Sequence, residues 1–134
     1  MGESTRVGVV VPASLDVQPA YGPFVEIAVR HAGEEARSLL DMYWCRGDLA
    51  ALAEDARRAG LTVTERRTRT GTARFESSEA FVATEIDGSP LAERIDAATR
   101  AAISSEVGDA LARYRTSNGF DIPLVGHVLG ARAA

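Results

Sequence analysis

Val7-Gly8-Val9-Val10-Val11-Pro12 is the first patterned segment, a β-branched run interrupted by Gly8 and stopped by Pro12. Apolar on both alternating faces, it predicts a strand in a sheet interior. From Pro19 the period changes to that of a helix, with Phe24, Ile27, Ala28 and His31 on one stripe and Gly33 as the stop. Glu35 to Tyr43 predicts a second helix, with Ala36, Leu39, Leu40 and Tyr43 on one side. Asp48 reads as an N-cap, since its carboxylate can accept first-turn amides; Leu49, Leu52, Ala53 and Ala56 form the stripe behind it and Gly60 ends it. Leu61 to about Arg69, reaching toward Phe75, alternates weakly as a strand, with Gly71 as a candidate turn or bulge.

Ser77 predicts the start of a short helix carrying Ala80, Phe81 and Glu85. Ser89-Pro90 predicts another, since proline at the first helical position loses no needed N–H. One long helix is expected behind it, burying Leu91, Ile95, Ala98, Ala102, Val107, Leu111 and Tyr114 and ending at Asn118-Gly119. Ile122 to Ala131 is the last strand. There is no repeat, low-complexity tract or linker, so residues 1–134 are read as one α/β domain.

Charge narrows the classes of partner. The formal net charge is −4, which opposes general affinity for nucleic acid phosphates. All fifteen basic residues are arginine; the densest group, Arg66, Arg67, Arg69 and Arg74, lies beside Glu65 and Glu76 and reads as a solvated strand face. The single cysteine, Cys45, excludes an internal disulfide and a cysteine metal cluster, and two histidines exclude a multi-histidine metal site. No run approaches the roughly 20 apolar residues of a membrane span, and no secretion signal opens the chain. A soluble cytoplasmic protein is the expectation.

Four segments, taken in order, resemble the C-terminal half of class I S-adenosylmethionine-dependent methyltransferases of the small-molecule, quinone-biosynthesis type. They are Thr5 to Pro12; Gly47-Asp48 through Ala59-Gly60-Leu61; Ala73-Arg74-Phe75-Glu76-Ser77-Ser78-Glu79-Ala80-Phe81; and Ile122 to Arg132 with Gly126-His127. The resemblance implies a truncated Rossmann-like sheet of about three strands in the order 5-7-6, the last antiparallel, packed by three to five helices. Leu61 stands where the family often carries an aromatic residue, and the Pro-Gly-Gly turn before the fifth strand is missing.

No strand here is followed by Gly-x-Gly-x-Gly, the loop through which that fold's backbone approaches its cofactor. The chain alone is therefore not expected to bind S-adenosylmethionine or to transfer methyl groups; the cofactor enters only with a partner chain. Without its natural neighbours, Val7 to Val11 becomes an exposed apolar edge, which predicts a homodimer or a heteromer, with a methyltransferase N-terminal half as one candidate partner.

The resemblance places a substrate pocket beside Tyr43-Trp44-Cys45 and Phe75, lined by Tyr21, Phe24, Tyr43, Trp44, Phe75 and Phe81. Asp16, Gln18 and Tyr21 follow the fifth strand at the end where ligands gather in open α/β sheets. His127 and Tyr43 are the catalytic candidates, His127 because its ordinary pKa is near neutrality, and each also reads as a packed residue. Cys45 lacks a paired base, and Glu79 and Glu85 read as helix solvation. The leading expectation is a partner or substrate-binding subunit of a secondary-metabolism enzyme. The alternatives are a stand-alone homodimeric enzyme running a cofactor-free cyclisation or isomerisation, and an oligomerisation module.

Overall fold

A computed structural model describes residues 5–41, 44 and 47–133. The elements in order are β1 (Arg6–Pro12), α1 (Tyr21–Ala32), α2 (Glu35–Leu40), α3 (Leu49–Arg58), β2 (Leu61–Phe75), α4 (Ser78–Asp87), α5 (Ala97–Ala110), β3 (Arg115–Thr116) and β4 (Gly119–Ala133). Short 3-10 turns at Leu15–Val17, Pro90–Glu93 and Ala112–Tyr114 join them. The class is α/β: a four-stranded antiparallel sheet and five helices. β4 lies in the middle, between β1 and β2, with the two-residue β3 paired to its start.

Local signals account for most boundaries. The Asp48 carboxylate accepts from the Ala51 amide at 3.1 Å and the Ser77 hydroxyl from the Ala80 amide at 3.0 Å, satisfying first-turn donors of α3 and α4. Gly33, at φ 95°, closes α1 in a conformation other residues resist.

β4 runs without a bulge, so its residues alternate strictly between the two faces. Phe120 and Ile122 are fully buried, and with Leu124 they face a layer built from α1, α2, α4 and α5. Phe81 centres this core, with ring centroids 5.2 Å from Phe24 and from Phe75, 5.3 Å from Tyr21 and 5.7 Å from Phe120. Leu129 and Ala131 point the other way, on the face shared by Val7, Val9 and Val11, and α3 packs against β2 and β4 through buried Ala53. Helices thus cover opposite faces at opposite ends of one long sheet. Among the described residues, no helix is long and apolar enough to cross a membrane.

Several expectations need correction. β1 is not buried on both faces: Val7, Val9 and Val11 are half-buried, but Val10 is 76% exposed, because no helix among the described residues covers that face. The helix expected after Ser89 is two pieces. Asp96 accepts from the Thr99 amide at 2.7 Å and starts α5 afresh, so Ala98 is exposed and Ile103, outside the expected stripe, is fully buried. Asn118-Gly119 is not the stop of that helix but part of the β3–β4 hairpin, with Gly119 at φ 155°. The register shift in β2 falls between Val63 and Glu65, whereas Gly71 sits in regular register opposite Leu124. α2 ends at Leu40; Tyr43 and Cys45 lie outside the described residues.

Candidate functional site

Where β1 stops, the backbone amide of Ala13 still bonds the Val125 carbonyl at 2.9 Å, and the chain then turns away through Leu15–Val17. The Gln18 side chain takes over the pairing. Its amide nitrogen donates to the carbonyls of Ala13 (3.0 Å) and Val125 (2.8 Å), and its oxygen accepts from the Val125 amide at 2.9 Å. Gln18 is 2% exposed and both of its amide hydrogens are used in these bonds. This clamp fixes the entry of α1 and therefore the position of Tyr21, its first residue.

On the other side, the Ser77 cap sets the phase of α4. Ser78, Phe81, Val82 and Ile86 are buried, and Glu85 follows Phe81 by one turn, so a carboxylate sits on the apolar stripe. The Tyr21 and Trp44 rings meet at 4.8 Å, tilted by 48°. Between these parts opens a cleft of about 330 Å³ lined by Pro12, Tyr21, Trp44, Thr84, Glu85, Gly88 and Leu124. Its walls are mostly apolar with a few polar groups, the character of small-molecule sites.

Electrostatics distinguishes this cleft. Burial pushes the Glu85 carboxyl above the ordinary carboxylate range, opposed only in part by hydrogen bonding with Tyr21. Burial, and then the Glu85 charge, raise the Tyr21 phenol far above its ordinary value, so it stays a neutral donor. A carboxyl whose pKa is raised by burial, beside a neutral phenol, can give or take a proton and can orient a polar group of a ligand.

A wider groove of about 520 Å³, bordered by Leu15, Asp16, Gln18, Gly22, Pro23, Glu26, Arg37 and Asp41, is a different kind of place. Its arginine is already shared between Glu26 and Glu34, each at 2.6 Å. Asp16 borders this groove and not the aromatic cleft.

The residues expected to line a pocket divide. Tyr21 and Trp44 border the cleft. Phe24 and Phe81 are 2% and 0% exposed inside the core, where they support the cleft from behind. Phe75 is half-buried against Phe81, away from the lining. His127 is engaged at both nitrogens: Nε2 is 3.0 Å from the Gly47 carbonyl, which only accepts, and Nδ1 is 2.8 Å from the Thr68 hydroxyl. The proton therefore sits on Nε2, and the ring ties β4 to β2 and to the segment before α3. A side chain on Gly47 would place Cβ 2.1 Å from the Ser14 nitrogen, so this crossing requires glycine. His31, late in α1, faces Glu106 of α5 at 3.0 Å.

Glu85 was the residue whose role the sequence obscured, though its spacing from Phe81 carries the signal. Among the described residues, no group of three or more His, Cys, Asp or Glu side chains could hold a metal ion. The sequence matches no protein-family model and no curated protein.

Proposed function

We propose that the chain is a methyltransferase-like domain without its own S-adenosylmethionine site, which presents a substrate-type pocket as a subunit of a small-molecule enzyme. The observation that carries this reading is the aromatic cleft at the carboxyl end of β1, bordered by Pro12, Tyr21, Trp44 and Glu85. Two further features support it: β4 between β1 and β2 and antiparallel to both, and the order of family-like segments along the chain. The sheet is then a truncated Rossmann-like one in the order 5-7-6. β1 is bonded to β4 on one side only, with Val10 76% exposed, which supports pairing of Val7 to Val11 with a second copy or a companion chain.

The test is copurification with a chain carrying the cofactor-binding half, followed by a methyl-transfer assay. Transfer by the complex and none by either part is the expected outcome. A lone monomer that binds S-adenosylmethionine tightly contradicts the reading.

One observation favours the second reading, a homodimeric enzyme for a cofactor-free cyclisation or isomerisation. Glu85 and Tyr21 form a partly desolvated proton donor and acceptor pair in the cleft, a role that His127 is not placed to fill. A stable homodimer that turns over a substrate without any methyl donor would select it.

A further inference from the structure

Glu26, Glu35, Glu54, Glu65, Asp87 and Glu106 each pair with an arginine, and Asp48 and Asp96 accept from helix amides. Glu85 is placed differently. It is half-buried, and among the described residues its partner is the neutral Tyr21 hydroxyl, with no cationic side chain beside it. Removing a carboxylate from water is unfavourable unless an opposite charge compensates it.

What faces Glu85 across the cleft is also selective. Tyr21 and Trp44, each 7% exposed, border it with rings tilted to each other, and Pro12 and Leu124 supply apolar walls; an aromatic ring carries negative quadrupole density on its faces. A cation gains from the carboxylate and from both rings. A neutral ligand leaves the carboxylate uncompensated, and an anion is repelled.

We infer that the cleft binds an organic cation, a substituted ammonium on an apolar or aromatic body, with its nitrogen between Glu85 and the rings of Tyr21 and Trp44. The inference rests on the reading of this cleft as the substrate pocket and names the chemical class of what occupies it. At about 330 Å³ the space suits an arylalkylamine and not an extended polycyclic ligand.

Trp44 is the one tryptophan, so its fluorescence reports on the cleft directly. The experiment titrates the protein with benzyltrimethylammonium, benzyl alcohol and benzoate. Saturable quenching by the cation is expected, with affinity roughly tenfold above that of the alcohol, and none by benzoate. The probe keeps its charge at every pH, so any pH dependence belongs to the protein. Tyr21 is the other titratable group among the described lining residues and stays neutral. Affinity for the cation should therefore fall as the pH is lowered through a value above the ordinary carboxylate range and Glu85 takes up its proton. Glu85→Gln should abolish the preference for the cation and keep the binding of benzyl alcohol. The pH series on the unaltered protein stands even if that variant misfolds. Equal binding of cation and alcohol, no weakening at low pH, or an unchanged preference in Glu85→Gln overturns the cation assignment and leaves the pocket. No quenching by any of the three overturns the pocket as well.

Discussion

The two ends of β4 are built to different standards. At the Phe120–Leu124 end, a helical layer encloses an aromatic cluster in which Phe24, Phe81 and Phe120 are almost wholly buried. At the Gly126–Gly130 end, the face shared with Gly8 and Val10 has no helix over it among the described residues, and α3 covers the reverse side. The first end is a completed core. The second is an edge strand with Val10 76% exposed, the feature behind the proposed pairing. The cleft lies between them, where β1 ends and α1 begins. It draws its rigidity from the completed end, because Phe81 supports Tyr21 directly.

That contrast can be broken most severely at the aromatic centre. Phe81→Ala removes contacts to four rings, and a loss of roughly 3 to 5 kcal/mol is expected in denaturant unfolding. Gln18→Ala comes next. It leaves the Val125 amide without its Gln18 acceptor at a half-buried site, so a loss of about 1 to 3 kcal/mol is expected, with weaker ligand quenching of Trp44 as the α1 entry loosens.

Smaller effects sharpen the comparison at the cleft. Because the folded-state pKa of Glu85 is raised, the folded chain holds its proton to higher pH than the unfolded chain does. Its contribution to stability is then full below the unfolded carboxyl value, about 4.3, and declines as pH rises through the folded value. Glu85→Gln should remove that decline, so the variant gains on the unaltered protein in thermal melts as the pH rises from about 4.3 through the raised folded value. A constant difference across that range contradicts the assignment. Val10→Arg should shift stability by no more than about 0.5 kcal/mol, since the side chain is in water, yet reduce self-association or companion binding in sedimentation. Unaltered association would remove this edge from the account.

Much of the architecture was legible because its determinants are local. Asp48, Ser77 and Gly33 act on amides or conformations within a few residues of themselves, and each does what its position implies. Asp96 escaped notice because apolar spacing continues past it, and an acid within a stripe resembles a solvated face. Asn118-Gly119 carries two meanings, helix stop and hairpin turn, and only the pairing of Arg115 with Phe120 selects the second.

The site was less legible, for a reason of distance. Gln18 acts on Val125, 107 positions away, and no pattern in either segment announces it. The aromatic residues identified the right neighbourhood, but Tyr21 and Trp44 border the cleft while Phe24 and Phe81 lie in the core, a division set by helix phase and packing. Glu85 shows the converse: its helical spacing was visible, but its lack of a charged neighbour among the described residues exists only in three dimensions.

The central claim is a substrate pocket in a domain with no methyl-donor site of its own, and amide NMR perturbation mapping with two ligands tests it most directly. A small aryl probe should shift Tyr21, Thr84, Glu85, Gly88 and the Trp44 indole, while S-adenosylmethionine shifts nothing in a saturable way. Saturable shifts from S-adenosylmethionine, or aryl shifts scattered away from that cleft, would contradict it.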